Sequence, residues 1–305
     1  QTVFGFFFGY ILIAKVLLPL YYKLKLTSIY SYLGDRIGKR SYKTGASFFL
    51  LSKIVGAAAR LYLVVLILQH YVFSTWNIPF WVTVIISIFL VWLYTYRSGI
   101  KTIIWTDTLQ ALCLVAMLVV IIWKVKDAMD LDMGGMIQTL TENPHFRIFE
   151  FNDWHSTQHF VKQFFSGIFI TIVMTGLDQD MMQKNLSCRN LHEAQKNMYC
   201  YGFSFIPLNF LFLCLGILLI ALAGQMQLEL PAMNDDILPM FATQGYLGQS
   251  VLVLFTIGII AAAFSNSDSA LTAMTTSVCI DLLKTDKDTE ETARRKRKKV
   301  HLSLS

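Results

Sequence analysis

Long apolar runs separated by short polar connectors dominate this chain. Seven runs approach or exceed the about 20 mostly apolar residues that a membrane-spanning helix needs. They are Val3–Tyr22, Thr44–His70, Pro79–Tyr96, Thr102–Trp123, Phe164–Met182, Tyr199–Ala223 and Leu247–Leu283. The last is longer than a bilayer is thick, so it must tilt, break, or run on into water as a helix. A buried soluble core supplies one or two such stretches, not seven in succession. The pattern predicts an all-α membrane protein, with one transmembrane domain over residues 1–305 and a basic loop at 284–300.

Composition agrees. Apolar residues make up 55% of the 305 residues and charged residues 15%, against about 25% charged in soluble domains. Disordered, collagen-like and disulfide-scaffold chains are excluded on the same figures. The chain is apolar from Val3, with no positively charged region or cleavage site ahead of it, so Val3–Tyr22 does not read as a signal peptide. At the other end, His301–Ser305 turns apolar again after a basic run. The expectation is an internal piece of a longer membrane protein.

Charge changes the picture from a count of spans to an orientation. Of the 26 Lys and Arg, nineteen fall in alternate connectors on one side and in the tail, among them Lys23, Arg36, Arg97, Lys184, Arg189 and the run Arg294–Lys299. Only Lys124, Lys126 and Arg147 fall in the opposite connectors. The positive-inside rule then puts the N-terminus of the chain outside and the tail in the cytoplasm, in a multi-pass protein of the cell membrane. Asp127, Asp130, Asp132, Glu229, Asp235 and Asp236 lie on the outer side. The formal net charge of +6 is a topology signal, and the basic run after a span reads as an inner loop rather than a nucleic-acid patch.

Candidate chemistry is sparse. Cys113, Cys200, Cys214 and Cys279 lie in apolar runs and Cys188 in an inner connector, so no disulfide framework is implied. Asn185-Leu-Ser187 matches a glycosylation pattern on the wrong side of the membrane. His155 and His159 have a metal-compatible spacing, yet beside Trp154 in a polar outer loop they read as interfacial residues. No nucleophile–base spacing, phosphate loop or cysteine–histidine cluster appears, so an enzyme is not expected.

Ionisable groups at membrane depth cost about 2.5–3.5 kcal/mol on insertion scales, which makes them functional candidates. Asp107 lies in the fourth run, Asp178 and Asp180 end the fifth, Asp268 sits midway along the seventh, and Lys53 and Arg60 lie in the second. In the seventh, positions 262, 265, 266 and 269 share one helical face, offering the oxygens of Ala262, Ser265, Asn266 and Ser269. Oxygen donors without cysteine or histidine suit an alkali or alkaline-earth cation. The alternative is a small-residue helix contact whose hydroxyls bond their own backbone. Arg60 follows Gly56-Ala-Ala-Ala59, and small neighbours leave its guanidinium open to a carboxylate. The alternative there is an internal pair with Asp107 or Asp268.

Four blocks, in matching order and spacing, resemble the sodium/solute symporter family. They are Leu26-Thr-Ser-Ile-Tyr-Ser-Tyr-Leu-Gly-Asp-Arg36; Tyr96-Arg-Ser-Gly-Ile-Lys-Thr-Ile-Ile-Trp-Thr-Asp-Thr-Leu-Gln110; Asp178-Gln-Asp-Met-Met-Gln-Lys184 with Glu193-Ala-Gln-Lys196; and Ala261-Ala-Ala-Phe-Ser-Asn-Ser-Asp-Ser-Ala270 leading to Ile280-Asp-Leu282. The resemblance implies a LeuT-like five-plus-five inverted-repeat fold, of which the seven runs would be core helices two to eight of ten. It implies a sodium-coupled symporter working by alternating access. Its main sodium site would use Ala262, Ser265 and Asn266, the last standing where the family usually has a second hydroxyl. Asp107, Asp268 and Ser269 would form a second cation site, for sodium or a proton. Broken helices are usual in such carriers, and Gly167 and Gly176 would bracket an unwound segment of the fifth span.

Sugar carriers of the family place polar groups along core helix two, whereas Val3–Ala14, at that place, carries no acid or amide, so the resemblance argues against a sugar. Sialic-acid carriers of the family have a carboxylate-binding arginine near the place of Arg60. The expected substrate is therefore a small organic anion, met by Arg60, Gly56, Met174 and Thr175. The expected partners are sodium, the solute and the bilayer, with no nucleic acid. The alternatives are a carrier of a neutral amino acid or sugar, a symporter-like sensor module of a signalling protein, and a channel or structural subunit.

Overall fold

Helices account for every regular element among the described residues. A computed structural model describes residues 1–24, 26, 28–73, 78–95, 100–143, 146, 149–285 and 288–304. The side chains of residues 71, 72, 91, 94, 95, 100–104, 106, 263, 264, 266 and 268 lie outside that description.

In chain order the helices are α1 (Thr2–Lys23), α2 (Ser31–Arg36), α3 (Lys39–Ile67), α4 (Phe80–Thr95), α5 (Ile100–Ala128), α6 (Met133–Glu142), α7 (Phe160–Thr171), α8 (Gln179–Leu186), α9 (Leu191–Gln225), α10 (Ile237–Thr243), α11 (Gln249–Ser277) and α12 (Glu290–Leu304). Among the described residues, α1, α9 and most of α3 and α5 are long and apolar enough to cross a membrane. The α7–α8 pair passes the same test only when its two halves, bent by 68°, are taken together. The shorter α4 and the long α11 complete the seven apolar runs as helices. At about 1.5 Å per residue, the 29 residues of α11 outreach a hydrocarbon core of about 30 Å. The helix stays unbroken and continues into a π turn at Val278–Leu282.

Starts and breaks have local causes. Asp178 caps α8, accepting hydrogen bonds from the backbone of Asp180 and Met181, and Asn190 caps α9 by accepting from Glu193. Within α1 a π turn at Ile13–Leu17 precedes Pro19, whose missing N–H interrupts the regular ladder.

The fifth span differs from its sequence expectation. The helix runs through Gly167 to Thr171 and a π turn over Ile172–Gly176, and breaks only at Leu177 and Asp178. Gly167 is a packing position instead. A Cβ there would overlap the carbonyl oxygen of Thr2, and one on Gly5 would overlap that of Phe164. The two glycines let α1 and α7 cross backbone to backbone, as small residues do between membrane helices.

Two apolar clusters hold the bundle. Ile13, Ala14 and Leu18 of α1 meet Met182 of α8 and Ala194 and Met198 of α9. Leu118, Ile121 and Val125 of α5 meet Leu218 and Leu222 of α9 and Phe241 of α10. Leucines, isoleucines and aromatics such as Trp81, Trp105 and Leu112 stay exposed, as expected for surfaces that face lipid rather than water.

Candidate functional site

Polar groups of the apolar helices α5 and α11 and of the polar α8 converge where the three meet. Ser265 and Ser269 stand one turn apart on α11. The Ser265 hydroxyl donates to Oδ1 of Asp107 on α5. The ammonium of Lys184 on α8 donates to Oδ2 of the same carboxylate at 2.7 Å and to the Ser269 hydroxyl at 2.8 Å. Ser269 is buried, and the Asp107 and Lys184 side chains are less than a third exposed. The protein's own ammonium thus sits between hard oxygens supplied by α5 and α11. Oxygen donors of this kind also suit an alkali ion, and a lysine ammonium is a compact point charge.

A second ionic cluster lies at the helix break. Lys53 of α3 is 2.9 Å from Asp178 and 3.4 Å from Asp180, with all three side chains mostly buried. The same break is tied down by neutral groups. Tyr21 donates to the carbonyl of Gly176 at 2.9 Å, and the buried Gln179 accepts from the backbone of Ile29 at 2.9 Å. A freed backbone carbonyl at membrane depth thereby keeps a donor. In the π turn that follows α11, the fully buried Asp281 accepts from Tyr42 at 2.8 Å and from Ser277 at 2.5 Å.

The sequence candidates divide as follows. Asp107, Ser265 and Ser269 come together, so Ser265, expected at the main sodium site, touches the carboxylate expected at the second. Ala262 lies in the regular part of α11 one turn earlier. The side chains of Asn266 and Asp268 lie outside the described residues. Arg60 is exposed on α3 and meets no carboxylate among the described residues, while Asp107 is engaged by Lys184 instead. Space opens beside Gly56, where a Cβ would touch nothing within 4 Å. Met174 is exposed and Thr175 buried in the π turn at the end of α7.

Sequence reasoning counted Lys184 as a loop charge and so missed its contact with Asp107. The signal available was its place four residues after Asp180 on one helical face. His159 is nearly buried, its ring 4.7 Å from that of Trp154, and it caps α7 by accepting from the backbone of Val161. A separate cavity of about 130 Å³ between α3, α4 and α11, lined by Leu61, Val65, Leu68, Ile86, Leu90 and Ile260 among others, is apolar and offers no charge to a solute.

No family model matches the chain. Curated relatives do. The sodium/sialic acid symporter NanT of Aliivibrio fischeri (strain ATCC 700601 / ES114) is 26% identical over 271 residues, 86% of this chain and 50% of that protein. SiaT of Proteus mirabilis (strain HI4320), another sodium/sialic acid symporter, is 27% identical over 269 residues, 87% of this chain and 53% of its own length. The human sodium-coupled monocarboxylate transporter 1 is 26% identical over 201 residues, covering 64% of this chain and 32% of the transporter. The chain spans about half or less of the length of these relatives. A solved Na+-coupled sialic acid symporter, in a substrate-bound outward-open state, superposes with a TM-score of 0.83 at 24% identity, covering 100% of this chain and 66% of that one. The fold is therefore LeuT-like, and the relatives are sodium/solute symporters, which are transporters and not enzymes.

Proposed function

We propose that this chain is the larger part of the transport core of a sodium-coupled symporter that imports a small organic anion by alternating access. The observation that carries the reading is one ammonium held by Asp107 and Ser269, with Ser265 donating to the same carboxylate. Asp107 and Ser269, with Asp268, hold a second coupling ion. Ser265, Asn266 and the Ala262 carbonyl hold the main sodium. A sodium ion arriving at Asp107 replaces the Lys184 ammonium, because one carboxylate does not neutralise two cations. The exposed Arg60, with open space at Gly56, receives a carboxylate, and Met174 and Thr175 line the same solute path. The excess of basic residues in alternate connectors supports an outer N-terminus and a cytoplasmic tail.

Energetics favour two coupled cations for an anion. One charge crossing 100 mV releases about 2.3 kcal/mol, and a tenfold gradient about 1.4 kcal/mol. With a single sodium a monovalent anion cancels the electrical part, leaving about tenfold accumulation. A second cation restores it.

The test is uptake by the full-length protein in proteoliposomes, with a panel of carboxylates, sugars and amino acids under an inward sodium gradient. Saturable, electrogenic, sodium-dependent uptake of a carboxylate is expected, with KM raised by Arg60→Ala. Sodium-independent flux, or uptake confined to neutral solutes, overturns the reading.

A further inference from the structure

The basic helix α12 turns back along α11. Leu304 packs against the cluster of Ala270, Leu271 and Met274, and His301 Nδ1 lies 3.4 Å from the Thr275 hydroxyl. The two helices therefore run antiparallel. At about 1.5 Å per residue, that register sets Lys299 beside about residue 276 of α11 and Arg294 beside about residue 281 of the π turn that follows it. This is the last turn of the apolar run, the level at which a span meets phospholipid headgroups.

The helix is two-faced. Residues 293, 296, 300, 301 and 304 are partly buried and lie on one side. Arg294, Arg295, Lys298, Lys299 and Leu302 are exposed, and their spacing places them on the opposite side. Arg295 is paired with Glu291 at 2.6 Å, and Lys296, on the inner side, with Asp288 at 2.7 Å. Among the described residues no carboxylate pairs with Arg294, Lys298 or Lys299. A positive stripe at headgroup depth, with an exposed leucine at its membrane-directed end, offers charge to anionic headgroups and an apolar side chain to their acyl chains.

We infer that the outer face of α12 is a binding site for anionic phospholipid headgroups. The phosphates bridge the arginines and lysines of the stripe while Leu302 enters the acyl region. A soluble phosphate supplies the same charge but has nothing to offer Leu302, and it would not be held at this depth, so the ligand is lipid. The stripe sits one helix away from Ser265 and Ser269, but it is separate from the cation site and does not depend on it.

The test is lipid binding by the full-length detergent-solubilised protein, titrated with phosphatidylglycerol or phosphatidylcholine and read by native mass spectrometry. Bound phosphatidylglycerol is expected in excess over phosphatidylcholine, and weaker at high salt. The combined variant Arg294→Gln, Arg295→Gln, Lys298→Gln and Lys299→Gln should bind phosphatidylglycerol at least about tenfold more weakly, since each basic residue near an anionic surface is worth about fivefold. Exchanging the same arginines for lysine and lysines for arginine keeps the charge and should retain binding, which separates loss of the site from loss of the fold. Leu302→Ser should weaken lipid binding and leave inorganic phosphate without effect as a competitor. Equal binding of the two lipids, or undiminished phosphatidylglycerol binding by a folded glutamine variant, overturns the inference.

Discussion

Lys184 and Asp107 form an ion pair of 2.7 Å across 77 residues of chain, and Ser269 accepts a second hydrogen bond from the same ammonium. The protein thus places its own positive charge on the carboxylate that the sequence marks for a transported cation. The pair has the makings of a competition between a tethered and a free cation. The ammonium neutralises the carboxylate, and a free cation that took its place would leave the Lys184 charge without this partner.

Lys184→Gln removes the tethered competitor while leaving the oxygens in place. Half-saturating sodium should fall by about tenfold, equivalent to about 1.4 kcal/mol, in both uptake and sodium-induced thermal stabilisation. Lys184→Arg should leave the competition in force. Unchanged sodium dependence in Lys184→Gln would show that the ammonium does not contest the site.

Ser265→Ala deletes a hydroxyl that donates to the Asp107 carboxylate and that is proposed to ligate the main sodium. Hydrogen bonds to charged groups are worth about 1.5–3 kcal/mol. The half-saturating sodium concentration should therefore rise by about tenfold or more, with folding retained. A variant with wild-type sodium dependence would remove Ser265 from the ion path.

Lys53→Met strands two carboxylates, Asp178 and Asp180, that share one ammonium behind a mostly buried surface. Removing one partner of a buried pair costs about 3–5 kcal/mol, and the partial exposure here lowers that to about 2 kcal/mol. Thermal unfolding should report the loss, and adding Asp180→Asn to Lys53→Met should recover part of it. Additive losses would mean that the cluster is not coupled.

Gly167→Val drives a side chain into the Thr2 carbonyl at the crossing of α1 and α7. Overpacking of this kind costs about 1–3 kcal/mol, and backbone contact on the other side sets it at the upper end. Gly56→Ala, where nothing lies within 4 Å of the added Cβ, should leave stability unchanged. Equal thermal stability of the two variants would contradict the close crossing.

Burial first, and then the nearby Glu193 carboxylate, push the Cys188 thiol above the ordinary thiol range. Both disfavour the thiolate, so the folded state keeps the proton at alkaline pH where an unfolded thiol loses it. The stabilisation is present below the unfolded pKa and is lost as pH rises through the folded one. With the other cysteines replaced, alkylation of Cys188 by iodoacetamide should be slow at pH 7.5 and rise only at higher pH than for a free thiol, with Glu193→Gln shifting the profile down. Rapid reaction at pH 7.5 would contradict this.

The apolar runs were legible because hydrophobicity and helical period are local properties. Seven stretches from Val3 to Leu283 had the composition of helices in lipid, and helices are what formed. The face of Ser265 and Ser269 on α11 was legible for the same reason, as was Asp107 by its cost at membrane depth. Gly167 was misread: its freedom looked like a break, while its smallness serves a contact with Gly5 that no neighbour in sequence announces. Lys184 was misread as a loop charge, since its meaning rests on α8 folding back, after the bend of 68°, beneath α5 and α11. The sequence shows which charges fall within apolar runs. Which charge neutralises which depends on helix crossings between residues 77 to 158 positions apart, and those crossings are set by packing over the whole bundle.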